Sequence, residues 1–222
     1  MIVFDVDGTL IDGEQIDWQC YDDAFREAAG FALTSSFFYS LKEVTAKAIV
    51  HQALDGATHE EKLAIEAKTR QGVLDRITRA IEKNPEAFPA RKGAASILQD
   101  LQERRIPVAI ATGDWRESIL LKLKASGLTF ETIPMVTSSE FYSRADIIKA
   151  AVEKAGGNLT DSIYVGDGLW DLRATRKLGI AFIGTGTKLD KLREKGAQHL
   201  LGQLSVDTFR EMVEEIQKAN RT

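Results

Sequence analysis

Hydrophobic positions along the chain follow two rhythms, and the change from one to the other falls near residue 90. Trp18, Tyr21, Phe25 and Ala28 recur three or four residues apart, which predicts a helix that Gly30 stops. A second helix is predicted from about Thr34-Ser35-Ser36, with Leu41, Val44 and Ala48 as its apolar stripe and Leu54 near its end. A third runs from about His59 to Lys83 on Leu63, Ala67, Leu74, Ile77 and Ile81. Asn84-Pro85 breaks it, because the residue before a proline is pushed out of the helical region. No strand is predicted between residues 13 and 89.

From Arg91 onward, short β-preferring runs alternate with amphipathic stretches. A helix on Ile97, Leu98 and Leu101 leads to a strand at Val108-Ala109-Ile110-Ala111. A helix on Ile119, Leu120 and Leu123 ends at Gly127 and leads to a short strand at Met135-Val136. A helix from Arg144 to about Ala155 precedes the strand Ile163-Tyr164-Val165. A short helix from Leu172 to Leu178 and a strand from Ile180 to Ile183 come next. An edge strand at His199-Leu200-Leu201 and a closing helix on Phe209, Val213 and Ile216 complete the series. Such alternation predicts an α/β fold, a doubly wound parallel sheet with helices on both faces.

The strand that belongs first in this sheet stands alone at the amino terminus. Ile2, Val3 and Phe4 form a run of the kind buried on both faces of a sheet, followed at once by Asp5-Val6-Asp7-Gly8-Thr9. The predicted organisation is an α/β core from residues 1–12 and 90–222, with residues 13–89 as an inserted helical cap. Asp12-Gly13 and Asn84 to Gly93 are the hinges. An insertion directly after a strand's carboxyl end sits over the crevice where such sheets bind ligands, so it is positioned as a lid.

Asp5 and Asp7 are two apart, so both can be presented on one side of the strand's end, and Gly8 lets the backbone turn. A buried strand ending in paired carboxylates is costly unless a cation or a reaction uses the charge. An ordinary Asp-Gly turn explains Gly8 but leaves Asp5 idle. Three further strand ends carry polar residues. Thr112-Gly113-Asp114 offers a hydroxyl and a close backbone approach for an anion, though Thr-Gly is also a common turn. Ser143 caps a helix whose first residue, Arg144, reads either as a solvated cation or as one reaching a phosphate over the sheet. Gly166-Asp167-Gly168-Leu169-Trp170-Asp171 supplies two more carboxylates, four positions apart. Carboxylates from two strands suit a hard cation such as Mg²⁺, and hydroxyl, guanidinium and amides suit a phosphoryl group.

The Asp-Val-Asp-Gly-Thr stretch after an apolar strand resembles the first motif of the haloacid dehalogenase superfamily, and the resemblance extends over nearly the whole chain. It implies that Asp5 is a nucleophile and Asp7 a general acid–base. It further implies that Thr112, with Gly113, binds phosphate and that Asp167 and Asp171 belong to a metal-holding motif. Mg²⁺ would be held by Asp5, the main-chain carbonyl of Asp7 and Asp167, with Asp171 in support. The stretch from Phe88 through Leu123 and the helical insertion are similar to the phosphoglycolate-phosphatase-like branch with its helical cap. The implied activity is a phosphatase of a small phosphorylated metabolite, working through an aspartyl-phosphate. A phosphomutase, a phospho-receiver or a phosphate-binding protein are the alternatives, and the lid speaks against a receiver.

Two departures from the resemblance stand out. The family's third motif supplies a lysine, where this chain has Arg144 at the helix start and Lys149 deeper in the helix; Arg144 is the expected phosphate-binding cation. Relatives often carry a Gly-Lys-Thr-Asp stretch in the cap, where this chain reads Glu43-Val44-Thr45-Ala46, so phosphoglycolate is not implied as substrate. Trp115 and Trp170 follow the second and fourth motifs at the mouth of the site, where packing is the better-supported role. Lys47 and His51 read as a solvated helix face that could also meet an anionic substrate tail, and Cys20 and His199 as structural.

Composition excludes more than it identifies. The chain has 222 residues, 44% of them hydrophobic, enough for a sizeable core. With 33 acidic against 29 basic residues the net charge is −4, which argues against nucleic acid or an anionic membrane as partner. A single cysteine permits no internal disulfide and fits a reducing cytoplasm, and no stretch is apolar enough to span a membrane.

Overall fold

The computed structural model describes residues 1–219. Six parallel strands form one sheet in the order β3-β2-β1-β4-β5-β6. They are β1 (Ile2–Phe4), β2 (Val108–Ala111), β3 (Met135–Val136), β4 (Ile163–Gly166), β5 (Ala181–Gly184) and β6 (His199–Leu200). Strand β1 lies centrally, with Ile2, Val3 and Phe4 in register with Val108, Ala109 and Ile110 on one side. Ile163, Tyr164 and Val165 flank it on the other. The chain grows outward from β1 to β2 and β3, then crosses back to β4, so the order reverses between β1 and β4. Open α/β sheets bind ligands at such a switch point.

Both faces of the sheet are buried, and the strand alternation divides the core in two. Ile2, Phe4, Ile110, Ile163, Val165 and Ile183 belong to one hydrophobic cluster. It includes residues of α5 (Ala94–Glu103), α6 (Arg116–Ser126) and α10 (Val206–Ala219). Val3, Ala109, Ala111, Tyr164 and Phe182 belong to the other, with α7 (Arg144–Lys154), α8 (Leu169–Leu178) and α9 (Leu189–Glu194). This is the packing that two-sided, apolar strands demand.

Between β1 and α5 the chain forms α1 (Glu14–Ala29), α2 (Ser35–Ser40), α3 (Ala46–Ala53) and α4 (His59–Lys83), and no strand. The connections into and out of this block run side by side, because Ile11 and Ala90 pair in an isolated antiparallel bridge. Among the described residues no helix is long and apolar enough to cross a membrane.

Five local expectations are corrected. The single helix expected from Thr34 toward Leu54 is two, because Thr45 starts a new one. Its hydroxyl accepts from the Ala48 amide at 3.1 Å, as Thr34 accepts from Phe37 at 3.2 Å. The Gln52 side chain ties down the intervening loop, accepting from the Lys42 amide at 2.9 Å and donating to the Glu43 carbonyl at 2.8 Å. Leu41 and Val44 therefore sit on a loop rather than a helical stripe. Helix α8 starts three residues earlier than expected, and β5 runs one residue later. The short α9 has no counterpart in the expectations; at six residues it presents only one buried side chain, Leu192. Lys47 and His51 do not form a solvated face either. His51 Nε2 lies 2.7 Å from Glu66, Lys47 reaches the Ser139 carbonyl at 3.4 Å, and neither lines the cavity described below.

Candidate active site

Four strand-end loops and the loop before α3 converge above β1 and β4. Asp5 is 3% exposed and continues the ladder, its amide donating to the Val165 carbonyl at 2.9 Å. The chain then coils on itself: the amides of Thr9, Leu10 and Ile11 all point at the Val6 carbonyl, 2.8 to 3.1 Å away. Gly8 holds φ at +73°, and a Cβ there would lie 2.5 Å from Asp167 Oδ2. Glycine is thus required twice over, for the turn and for the approach of Asp167.

Arg144 opens α7 behind its cap, Ser143, and is 5% exposed. Its Nη1 donates to Asp5 Oδ1 at 3.1 Å, and its Nε lies 3.5 Å from Asp171 Oδ1, an ion pair outside hydrogen-bonding geometry. Its Nη2 reaches the Val44 carbonyl at 3.4 Å. Gly113 makes room for this side chain, since a Cβ would meet Arg144 Nη2 at 2.5 Å. Lys149, by contrast, points away: its side chain is 55% exposed and lies 3.9 Å from Glu153. The buried Thr112 and Gly113 line the same cavity as Asp5 and Arg144.

The carboxylates of Asp5, Asp167 and Asp171 gather so closely that one oxygen from each lies within 4.8 Å of the others. Asp171 is anchored by the Tyr164 hydroxyl at 3.2 Å and the Gly168 amide at 3.0 Å. Asp167 is 4% exposed, yet among the described residues no donor reaches its carboxylate. Burial, then Asp171 and Asp5, push its pKa well above the ordinary value. Three crowded carboxylates, one without a donor, are the oxygen set a hard divalent cation takes. Asp7 was expected to offer a metal its main-chain carbonyl, and its side chain belongs to a different cluster.

That cluster was not anticipated. Lys122, on α6, is completely buried. Its Nζ lies 2.7 Å from Asp7, 2.7 Å from Asp17 of α1 and 2.9 Å from Asp114. Burial pulls the lysine's pKa down, but the three carboxylates together hold it well above its usual value. Burial raises Asp7 to about 6 against the pull of Lys122, and Asp17 to about 7 against the same ammonium. Asp5 is likewise raised to about 6 by burial, opposed by Arg144. The signal for Lys122 was its place three residues after Ile119 and beside Leu123, on the helix face that goes inward.

The cavity over these groups has a volume of about 530 Å³. The helical block closes it from above, with the Ala46 amide donating to the Gly113 carbonyl at 2.7 Å and the Thr45 hydroxyl to the Tyr142 carbonyl at 2.9 Å. Trp115 is fully buried and stacks on Tyr21 of α1, ring centroids 5.7 Å apart, whereas Trp170 lines the cavity. Cys20 is buried, its thiol pushed up to about 11 by that burial.

This chain is similar to several known proteins. A phosphoserine phosphatase from Methanocaldococcus jannaschii is 25% identical over 198 residues, covering 81% of this chain and 82% of that one. A β-phosphoglucomutase from Clostridium difficile superposes with a TM-score of 0.76 at 15% identity, covering 96% of each chain. A hydrolase from Pseudomonas syringae gives 0.75 at 21% identity, covering 96% of this chain and 97% of that one. These structures share the fold. The sequence model of the haloacid dehalogenase-like hydrolases matches residues 2–185, from the first strand through the last of the clustered carboxylates and beyond, and the chain belongs to that family.

Proposed function

We propose that the chain is a Mg²⁺-dependent phosphatase of a small phosphorylated metabolite, working through an aspartyl-phosphate on Asp5. The observation that carries this reading is the contact of Asp5 with Arg144 in the cavity beneath the helical block, beside two more buried carboxylates. Asp5 attacks phosphorus in line and displaces the alcohol. Arg144, the Thr112 hydroxyl and the Gly113 amide hold the phosphoryl oxygens. Asp7 gives its proton to the leaving oxygen, then takes one from the water that attacks phosphorus and frees Asp5. A carboxyl raised to about 6 is suited to exchange a proton in both directions near neutral pH.

Asp5, Asp167 and the main-chain carbonyl of Asp7 would hold Mg²⁺, with Asp171 supporting them. When bound, the ion neutralises charge on the phosphoryl group and on the carboxylates around it. Residues 13–89 act as the cap that keeps bulk water from the reacting centre, hinged at the paired connections near Ile11 and Ala90. Phosphoserine hydrolysis by a relative agrees with ester cleavage as the reaction class.

The test is release of inorganic phosphate from a panel of small esters, with and without Mg²⁺. Phosphate release that needs the ion is the expected result. Conversion of one sugar phosphate to another without release would point to phosphoryl return instead, and no turnover of any ester would contradict the reading.

A further inference from the structure

The cavity that holds Asp5 and Arg144 is continuous with the helical block, and its chemistry changes between the two. Trp18 of α1, Leu33, Phe38 of α2, Val44 and Ile49 of α3 line it from the block. Trp115, Tyr21 and Trp18 stack in series, neighbouring centroids 5.7 Å apart. The series runs from the fully buried Trp115 to Trp18, which is 38% exposed. Phe38 meets Trp18 edge-on at 4.4 Å. A large apolar ring thus stays in water beside the reacting groups, where a ligand could cover it.

The polar side chains that the block contributes are mostly engaged. The Tyr21 hydroxyl donates to the Ala46 carbonyl at 2.7 Å, that of Thr45 to the Tyr142 carbonyl at 2.9 Å, and Asp17 is bound to Lys122. Glu14 lies at the core end, beside Gly8 and Asp167. Asp22 is half-buried, with its Oδ1 closed to solvent. Among the described residues, no lysine, arginine or histidine of residues 13–89 lines the cavity. Its two cations come from the core: Arg144 is bound to Asp5, and Lys188 acts on Asp167.

We infer that the substrate is the phosphate monoester of a bulky apolar alcohol, aromatic or branched, with no second charge; this rests on the phosphatase reading above. With phosphate held at Asp5 and Arg144, the rest of the ester has only the helical block to meet. A volume of about 530 Å³ leaves room for a group much larger than phosphate. A carboxylate or second phosphate there would find no cation to receive it, and would lose its hydration uncompensated. A sugar's hydroxyls would meet Trp18, Phe38 and Ile49, and the hydroxyls of Tyr21 and Thr45 already donate elsewhere. An apolar group instead removes both its own surface and that of Trp18 and Phe38 from water.

The experiment compares 2-phenylethyl phosphate with glycerol 3-phosphate and phosphoglycolate. We expect kcat/KM for the phenylethyl ester to exceed that for glycerol phosphate by about tenfold or more, the scale of burying one aromatic ring. Glycerol is the more acidic alcohol, so a better leaving group cannot explain that order. Phosphoglycolate is the poorest of the three. Phe38→Ala lowers the ratio of phenylethyl to glycerol ester about threefold or more. Val44→Lys, which places an ammonium at the apolar end, shifts preference toward phosphoglycolate and serves should the first variant misfold. Binding of the three esters to Asp5→Asn, measured by calorimetry, gives the preference without turnover. A phenylethyl-to-glycerol ratio of one or less, or equal loss on all three esters in Phe38→Ala, overturns the inference while leaving a phosphatase. Preferred binding of the phenylethyl ester with no hydrolysis of any ester sustains the apolar site and overturns the phosphatase.

Discussion

Two buried cations stand beneath the cavity, each ringed by carboxylates, and they are built in different ways. Arg144 serves Asp5 and Asp171, and all three come from the ends of core strands or the starts of the helices that follow. Lys122 serves Asp7 and Asp114 of the core together with Asp17 of the inserted helices. The first cluster is complete within the sheet's carboxyl edge; the second exists only while α1 is docked. A buried charge stripped of its partners is far more costly than the pair was favourable. The first cluster therefore bears on chemistry, the second on where the helical block rests and on the carboxylate of Asp7.

The difference can be broken first at its strongest point. Asp5→Asn should abolish turnover, by roughly 10⁴-fold or more as for loss of a covalent nucleophile, while circular dichroism remains that of the folded protein. Hydrolysis at the unaltered rate would remove the nucleophile from the first cluster. Next, Arg144→Ala should lower kcat/KM by roughly 10²-fold, the scale of losing one key transition-state donor. Arg144→Lys should recover about a tenth of the original activity, because an ammonium can reach Asp5 but not Asp171 and the Val44 carbonyl as well. Lys149→Ala, with its side chain in solvent, should stay within about twofold. A crippled Lys149→Ala beside a healthy Arg144→Ala would reverse the assignment.

Lys122→Met sharpens the other side of the comparison. It leaves the buried ends of Asp7, Asp17 and Asp114 without a cation and should cost about 3–5 kcal/mol, a fall in Tm of roughly 10 °C by calorimetry. Adding Asp17→Asn removes one of the stranded charges and should restore part of that loss. Strict additivity of the two substitutions would show that Lys122 and Asp17 do not act together.

The two clusters were also unequally legible in the sequence. The carboxylates of the first follow the apolar runs of β1 and β4, so the break in hydrophobicity located them. Asp5, Asp167 and Asp171 stood out because carboxylates are expensive there, and Arg144 because Ser143 marks a helix start beside them. The second cluster was hidden by its own regularity. Neither Lys122 nor Asp17 was singled out, because a lysine or an aspartate inside an amphipathic helix is ordinarily a solvated residue. The clue lay in the stripes: Lys122 follows Ile119 by three, and Asp17 precedes Tyr21 by four, so each sits on a buried face. Only docking of α1 on α6 makes these two misfits one ion pair. Likewise Thr45 passed for a helix-interior residue, since nothing local shows that Gln52 will hold the preceding loop.

The central claim is that Asp5 carries the phosphoryl group between the two half-reactions. It is tested most directly by mixing Asp7→Asn with an ester whose leaving group needs no proton, such as p-nitrophenyl phosphate. Without Asp7 as base, breakdown should lag behind formation by roughly 10²-fold or more, so the intermediate accumulates. Peptide mass spectrometry of the quenched protein should then find one added phosphoryl group, on Asp5. A protein that releases p-nitrophenol without ever gaining phosphate, or that carries it on another residue, would contradict the account.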